Sequence, residues 1–177
     1  MVNPLRSVPN GPPNHETAKL GGNEKVNRLL DIGFVHAGHW ALTDGKELKA
    51  SLVPLALSAT QHNKDNNLYA FVIDGTVKYV GKTTRGLPER MAGYQRPGPT
   101  QATNRKNNQR IRESLEAGLR VEILALPDSG LLRYGEFHIN LAAGLEDNII
   151  EALDPEWNGG RNRSDAFEAE ATDQPST

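Results

Sequence analysis

The chain has 177 residues, enough for one domain with a full core and too few for two generous ones. It holds no cysteine, which excludes disulfides, thiolate metal sites and a cysteine nucleophile, so any metal must use oxygen or imidazole ligands. The formal net charge is -2, no apolar run approaches the roughly 20 residues that cross a bilayer, and the N-terminus lacks a hydrophobic signal core, so a soluble, cytoplasmic protein with no membrane partner is expected.

Residues 1–23 are rich in Pro, Gly and Asn and are expected to form a flexible leader. Residues 24–66 read as a short N-terminal α/β extension. In it Val26, Leu29, Leu30 and Ile32 keep a helical spacing that stops at Gly33, and the runs 34–42 and 46–53 around Thr43-Asp44-Gly45 have the pattern of a hairpin. A central module follows over 67–160: strands at about 68–73 and 77–81, a helix at 86–95, a loop, a basic helix at 104–117 ended by Gly118, a third strand at 119–126, and a long helix from Tyr134 to Asp154 closed by Pro155. Residues 161–177 are polar and acidic, with the composition of a disordered tail.

Charge is unevenly divided. Between Lys78 and Arg112 there are nine Lys or Arg against the single acid Glu89, a local charge of +8. A block of this kind neutralises phosphates, although a solvated surface with uneven charge is the plainer alternative.

The segment LYAFVIDGTVKYVGKTT carries two tyrosines ten positions apart around an Asp-Gly pair, a strong hairpin signal. With a two-residue turn at Asp74-Gly75, Tyr69 would face Val80 and Tyr79 would point to the other side of the sheet. A three-residue loop with Gly75 left-handed would set Tyr69 directly across from Tyr79 on one face, beside Lys82 and Arg90; glycine at the third loop position favours this second arrangement. Packing alone also accounts for two hairpin tyrosines. Arg90 and Tyr94 are four apart on a helix and share a face. Glu146 flanks the apolar stripe of Leu145, Ile149 and Leu153, where a half-buried carboxylate suits a cation. Asn158 follows the Pro155 break, where the chain can fold back over the helix end.

In this order the residues resemble the GIY-YIG nuclease superfamily. The first element is degenerate, Asn67-Leu68-Tyr69; the second is Tyr79-Val80-Gly81, followed by Lys82. Arg90 matches the helical arginine, Tyr94 stands where some members have histidine, and Glu146 and Asn158 match the metal-binding glutamate and late asparagine. Within the superfamily the chain looks most like the phage endonuclease II-type and Eco29kI-type restriction endonucleases. The resemblance implies an α+β fold, a small three-stranded antiparallel sheet flanked by helices, and hydrolysis of DNA phosphodiesters with Mg²⁺ (or Mn²⁺).

The roles it implies are Glu146 as metal ligand, Arg90 forking onto the scissile phosphate, and Tyr69 as general base or water positioner supported by Tyr79. Lys82 would assist the base or contact phosphate, Tyr94 would orient the phosphate, and Asn158 would hold the loop around the metal. His138, two helical turns before Glu146, could face the site; His36 and His39 have no motif to support them, and Trp40 and Trp157 read as packing residues. Arg85, Arg96, Arg105, Lys106, Arg110 and Arg112 are the expected DNA contacts. One active site per chain makes a homo-oligomer plausible if both strands are cut. The rival readings are a structure-selective repair or recombination nuclease and a non-catalytic DNA-binding module; intact Tyr69, Tyr79, Arg90, Glu146 and Asn158 argue against the second.

Overall fold

A computed structural model describes residues 21–53, 66–128 and 133–159. Most of the expected leader (1–20) and the acidic tail (161–177) lie outside the described residues, as do residues 54–65 of the extension. Among the described residues no helix is long and apolar enough to cross a membrane.

The chain order is α1 (Gly22–Asp31), β1 (Val35–Thr43), β2 (Glu47–Leu52), β3 (Asn67–Ile73), β4 (Thr76–Thr83), α2 (Leu87–Gln95), α3 (Ala102–Glu116), β5 (Val121–Pro127), β6 (Arg133–Tyr134), β7 (Phe137–His138), α4 (Leu141–Leu153) and a 3₁₀ turn (Glu156–Asn158). The main sheet has five antiparallel strands in the order β2-β1-β5-β3-β4, in place of the three expected. The two additional strands are the hairpin of the N-terminal segment. It joins the sheet because β5 offers β3 on one side and an open edge on the other, and Val35–Trp40 pairs along that edge with a bulge between His36 and Gly38.

The sequence NLYAFVI of β3 is buried at all seven positions, as a strand between two neighbours and two covering layers must be. Alternation sends Tyr69, Phe71 and Ile73 to one core, shared with Trp40, Tyr79, Leu87, Met91, Tyr94 and Ile111 beneath α2 and α3. Leu68, Ala70 and Val72 face the opposite core with Leu29, Val80, Ala142, Ile149 and Leu153 beneath α1 and α4.

The β3–β4 hairpin corrects the expected turn. Asp74 (φ 47°) and Gly75 (φ 77°) are both left-handed and Ile73 pairs with Thr76, which makes a two-residue turn. The extra residue enters one step later: Val72 pairs with Val77 but Phe71 with Tyr79, leaving Lys78 as a bulge. Tyr79 therefore shares the Tyr69 face as expected, but it lies across from Phe71, while Tyr69 lies across from Gly81.

The long helix is also shorter than its pattern suggested. Residues 133–138 form the small β6–β7 hairpin, with Gly135 left-handed (φ 62°), and α4 begins only where the Asn140 side chain accepts from the Ala143 N–H at 2.9 Å. His138 thus sits in β7 and is not on the helix that carries Glu146. At its other end α4 closes on a left-handed Asp154 (φ 42°) before Pro155.

Candidate active site

Arg90, on the inner face of α2, is held flat by three neutral side chains. Its Nε donates to the Tyr69 hydroxyl at 2.7 Å, one terminal nitrogen donates to the Tyr94 hydroxyl at 2.7 Å, and the other donates to Asn104 Oδ1 at 3.0 Å. Asn104 is itself fixed by donating to Gln101 Oε1 at 3.1 Å. Among the described residues Arg90 makes no ion pair. A guanidinium carries five N–H donors and is always charged, so two donors and the whole charge stay available for an anion. The expected support of Tyr69 by Tyr79 is replaced here: Tyr94 is the tyrosine whose hydroxyl lies 2.8 Å from that of Tyr69.

Tyr69 and Tyr94 have no measurable solvent exposure. Burial pushes both phenols well above the ordinary tyrosine range, overriding the opposing pull of Arg90. Both hydroxyls bond the Arg90 guanidinium, so in this geometry Tyr69 and Tyr94 fix the arginine.

Tyr79 reaches a cavity. Together with Thr103, Lys106, Asn107, Trp157 and Asn158 it lines a space of about 330 Å³. Gly81 makes room behind it: a Cβ there would lie 2.7 Å from the Tyr69 hydroxyl oxygen and 2.9 Å from the Tyr79 ring. Asn158 closes the end of the site by pairing with the edge strand. Its Oδ1 accepts from the Val80 N–H at 2.8 Å and its Nδ2 donates to the Val80 carbonyl at 2.7 Å, so one side-chain amide takes the place of a neighbouring strand. The bulged Lys78 adds an ion pair to Glu156 at 2.5 Å, which lowers the Glu156 carboxyl and ties the same turn to β4.

Glu146 and Lys82 form a separate group. Lys82 follows Gly81 and points to the α4 side of the sheet, where its ammonium lies 2.8 Å from Glu146 Oε2. This pairing raises the lysine above its ordinary value. The structure therefore places Tyr69, Tyr79, Arg90 and Tyr94 on one side of β4 and Lys82 and Glu146 on the other, and does not set Lys82 beside Tyr79 as the sequence suggested. Among the described residues no cluster of three His, Asp or Glu exists. A lone, largely buried carboxylate suits an ion that keeps most of its waters, as Mg²⁺ does.

The basic residues do not form one face. Arg85 pairs with Glu89 and Arg96 with Glu47, both on the surface. Arg112 donates to the Lys46 carbonyl and Arg110 to the Trp157 carbonyl, with its guanidinium 5.6 Å from the Trp157 ring centre. Arg105 is exposed, and Lys106 borders the cavity. Sequence reasoning gave Gly81, Asn104 and Asn107 no role of their own, the two asparagines counting only as amides of a DNA-contacting helix face, and read Trp157 only as packing. For Gly81 a signal existed, a glycine inside a strand, which marks close approach of another group.

No family model matches the chain, and no curated protein matches it. Among solved structures, a point mutant of bacteriophage T4 EndoII superposes with a TM-score of 0.58 at 23% identity, covering 76% of this chain and 98% of that one. The restriction endonuclease HPY188I in complex with product DNA gives 0.44 at 14% identity, covering 78% of this chain and 83% of that one. The EndoII likeness is one of fold, a five-stranded antiparallel sheet between helices in this chain, and it agrees with the resemblance read from the sequence.

Proposed function

We propose that this protein is a divalent-metal-dependent DNA endonuclease of the GIY-YIG kind, acting in restriction or phage defence. The observation that carries this reading is Arg90, a half-buried cation held rigidly by two phenols and an amide with no acid paired to it among the described residues. Desolvating a charge without a counter-charge costs stability, so such a group is a candidate binding site for an anion.

Its two remaining N–H groups form a fork suited to the oxygens of a scissile phosphate, and they are in place before the charge develops in the transition state. Tyr69, Tyr94 and Asn104 keep that fork from rotating. A cation bound at Glu146 would supply Lewis acidity and a water of lowered pKa. Lys82 pairs with the Glu146 carboxylate at 2.8 Å, and its exposed ammonium can turn onto a phosphate oxygen when that pairing is broken. Tyr79, which lines the cavity, is a second candidate for water positioning beside Tyr69. The fold likeness to EndoII supports nuclease chemistry by fold and by name only.

The test is supercoiled plasmid incubated with wild type and Glu146→Ala, with Mg²⁺ and with EDTA. Discrete Mg²⁺-dependent bands that vanish in the variant are expected. Plasmid retarded on the gel but never cut by the wild type would replace the enzyme with a binding module, and cutting confined to branched DNA would replace restriction with structure selection.

A further inference from the structure

The first turns of α3 carry charges of the wrong sign for a helix left to itself. The N-terminal end of a helix is the positive end of its dipole, and its first N–H groups lack intrahelical acceptors, so acids and capping oxygens gather there. The first turn of α3 has no acid, no side chain caps it, and Arg105 and Lys106 lie within its first five residues. Like charges stacked on a positive helix end invite an anion.

A second feature points to the same place. Thr103, Lys106 and Asn107 border the 330 Å³ cavity that Tyr79, Trp157 and Asn158 close from the other side, and among the described residues no acid lines it. Asn107 is 1% exposed, yet its Nδ2 has no acceptor among the described residues. Buried amide donors are nearly always paired, so an unpaired one on a residue that lines the cavity points to a missing acceptor oxygen. Glu156, the nearest acid in sequence to Trp157, is engaged by Lys78.

We propose that this cavity seats a phosphate group, with Lys106 as its counter-charge and Asn107 and Thr103 as hydrogen-bond donors at the α3 N-terminus. Resting on the nuclease reading, the phosphate is a backbone phosphodiester of the DNA next to the one beneath Arg90; a free phosphate monoester presents the same oxygens. Tyr79 stands in the cavity wall and over Tyr69, its ring centre 6.2 Å from that of Tyr69, which links this seat to the arginine. A second fixed phosphate would set the register of the strand relative to the cleavage site.

The experiment has two arms, both in EDTA so that cleavage is not required. In the first, inorganic phosphate is titrated at constant ionic strength into ¹⁵N-labelled wild type, Lys106→Ala and the near-isosteric Asn107→Asp, and backbone amide shifts are followed. Saturable shifts centred on Thr103 to Asn107, lost in both variants, are expected; linear shifts matched by chloride would overturn the seat. In the second, a duplex carrying one neutral methylphosphonate at successive positions is bound to wild type and Lys106→Ala. Wild type should lose about tenfold affinity at one position, and Lys106→Ala should lose about tenfold on unmodified DNA with no further loss at that position, its salt slope falling by about one. Saturable phosphate with no coupled position would reject the backbone phosphodiester and leave a monoester site. Failure of the plasmid assay would remove the nuclease reading without touching the first arm.

Discussion

The hydroxyls of Tyr69 and Tyr94 lie 2.8 Å apart and both accept from the guanidinium of Arg90. Tyr69 comes from the inner strand β3 and Tyr94 from α2, so the hydrogen bond joins sheet to helix at the point where the arginine emerges. Arg90 also lies 4.2 Å from the Tyr94 ring centre, with its charge near the ring face. The geometry of the guanidinium is thus fixed by the fold before any ligand arrives.

If preorganisation of that fork is what accelerates the reaction, lysine cannot replace it. Arg90→Lys keeps the charge but loses the planar pair of donors, and cleavage should fall about 10²-fold or more, as for loss of a transition-state donor. Duplex binding in EDTA should change far less. Cleavage kept within a few-fold of wild type would show that only the charge matters.

Burial of the two phenols has a consequence for stability in alkali. Both are raised above the ordinary tyrosine value of about 10, while in the unfolded chain they titrate near it. Above that pH the unfolded state binds fewer protons than the native state, so unfolding free energy falls as pH rises through and beyond about 10 and is unaffected below. The chain has four tyrosines. Absorbance titration at the tyrosinate band should show wild type and a Tyr69→Phe/Tyr94→Phe double variant differing only in the amplitude that appears with unfolding. A difference appearing while the far-ultraviolet dichroism is still native would mean that the phenols are reachable by solvent.

How much of this was legible in the sequence depended on how local the cause was. The β3–β4 pair, α2, α3 and the face shared by Tyr69 and Tyr79 follow from short-range pattern and turn chemistry. The bulge at Lys78 did not, because its position is set by contacts across the sheet and by the Glu156 pairing, both distant in sequence. The α4 start was misplaced because apolar spacing continues through residues 134–140, whereas Gly135 and the Asn140 cap decide the boundary. Asn104 and Asn107 looked like part of a polar helix face; only the fold turns them inward. The five-stranded sheet required knowing which edge the N-terminal hairpin would meet, information that no local pattern carries.

Gly81 is set by Tyr69. Alanine in a strand gains about 0.5–1 kcal/mol over glycine in backbone entropy, but here its Cβ would meet the Tyr69 hydroxyl oxygen at 2.7 Å and carbons of both Tyr69 and Tyr79 at 2.9 Å. Overpacking of a rigid core costs about 1–3 kcal/mol, so the clash wins. Gly81→Ala should lower the melting temperature and, by moving Tyr69, reduce cleavage more than binding. A melting temperature raised above wild type would show that the tyrosines can retreat.

Asn158 provides the sharpest test of a single side chain, because its two ends do opposite things. Asn158→Ala removes both bonds to Val80, each worth about 0.5–1.5 kcal/mol, which at this chain length lowers the melting temperature by roughly 2–12 °C. Asn158→Asp keeps the acceptor for the Val80 N–H but sets a carboxylate oxygen against the Val80 carbonyl, where Nδ2 now donates at 2.7 Å. At pH about 8 the aspartate variant should therefore be the less stable of the two. Protonation restores a donor to that position, so the folded-state pKa of the new carboxyl is raised above its unfolded value of about 4. Its stabilisation is then fully present below that unfolded value and is lost as pH rises through the raised one. Melting curves of the two variants should cross between pH about 8 and about 4, with aspartate the more stable in acid. Parallel curves would mean that the amide does not donate to the Val80 carbonyl, leaving its tie to β4 to the bond accepted from the Val80 N–H.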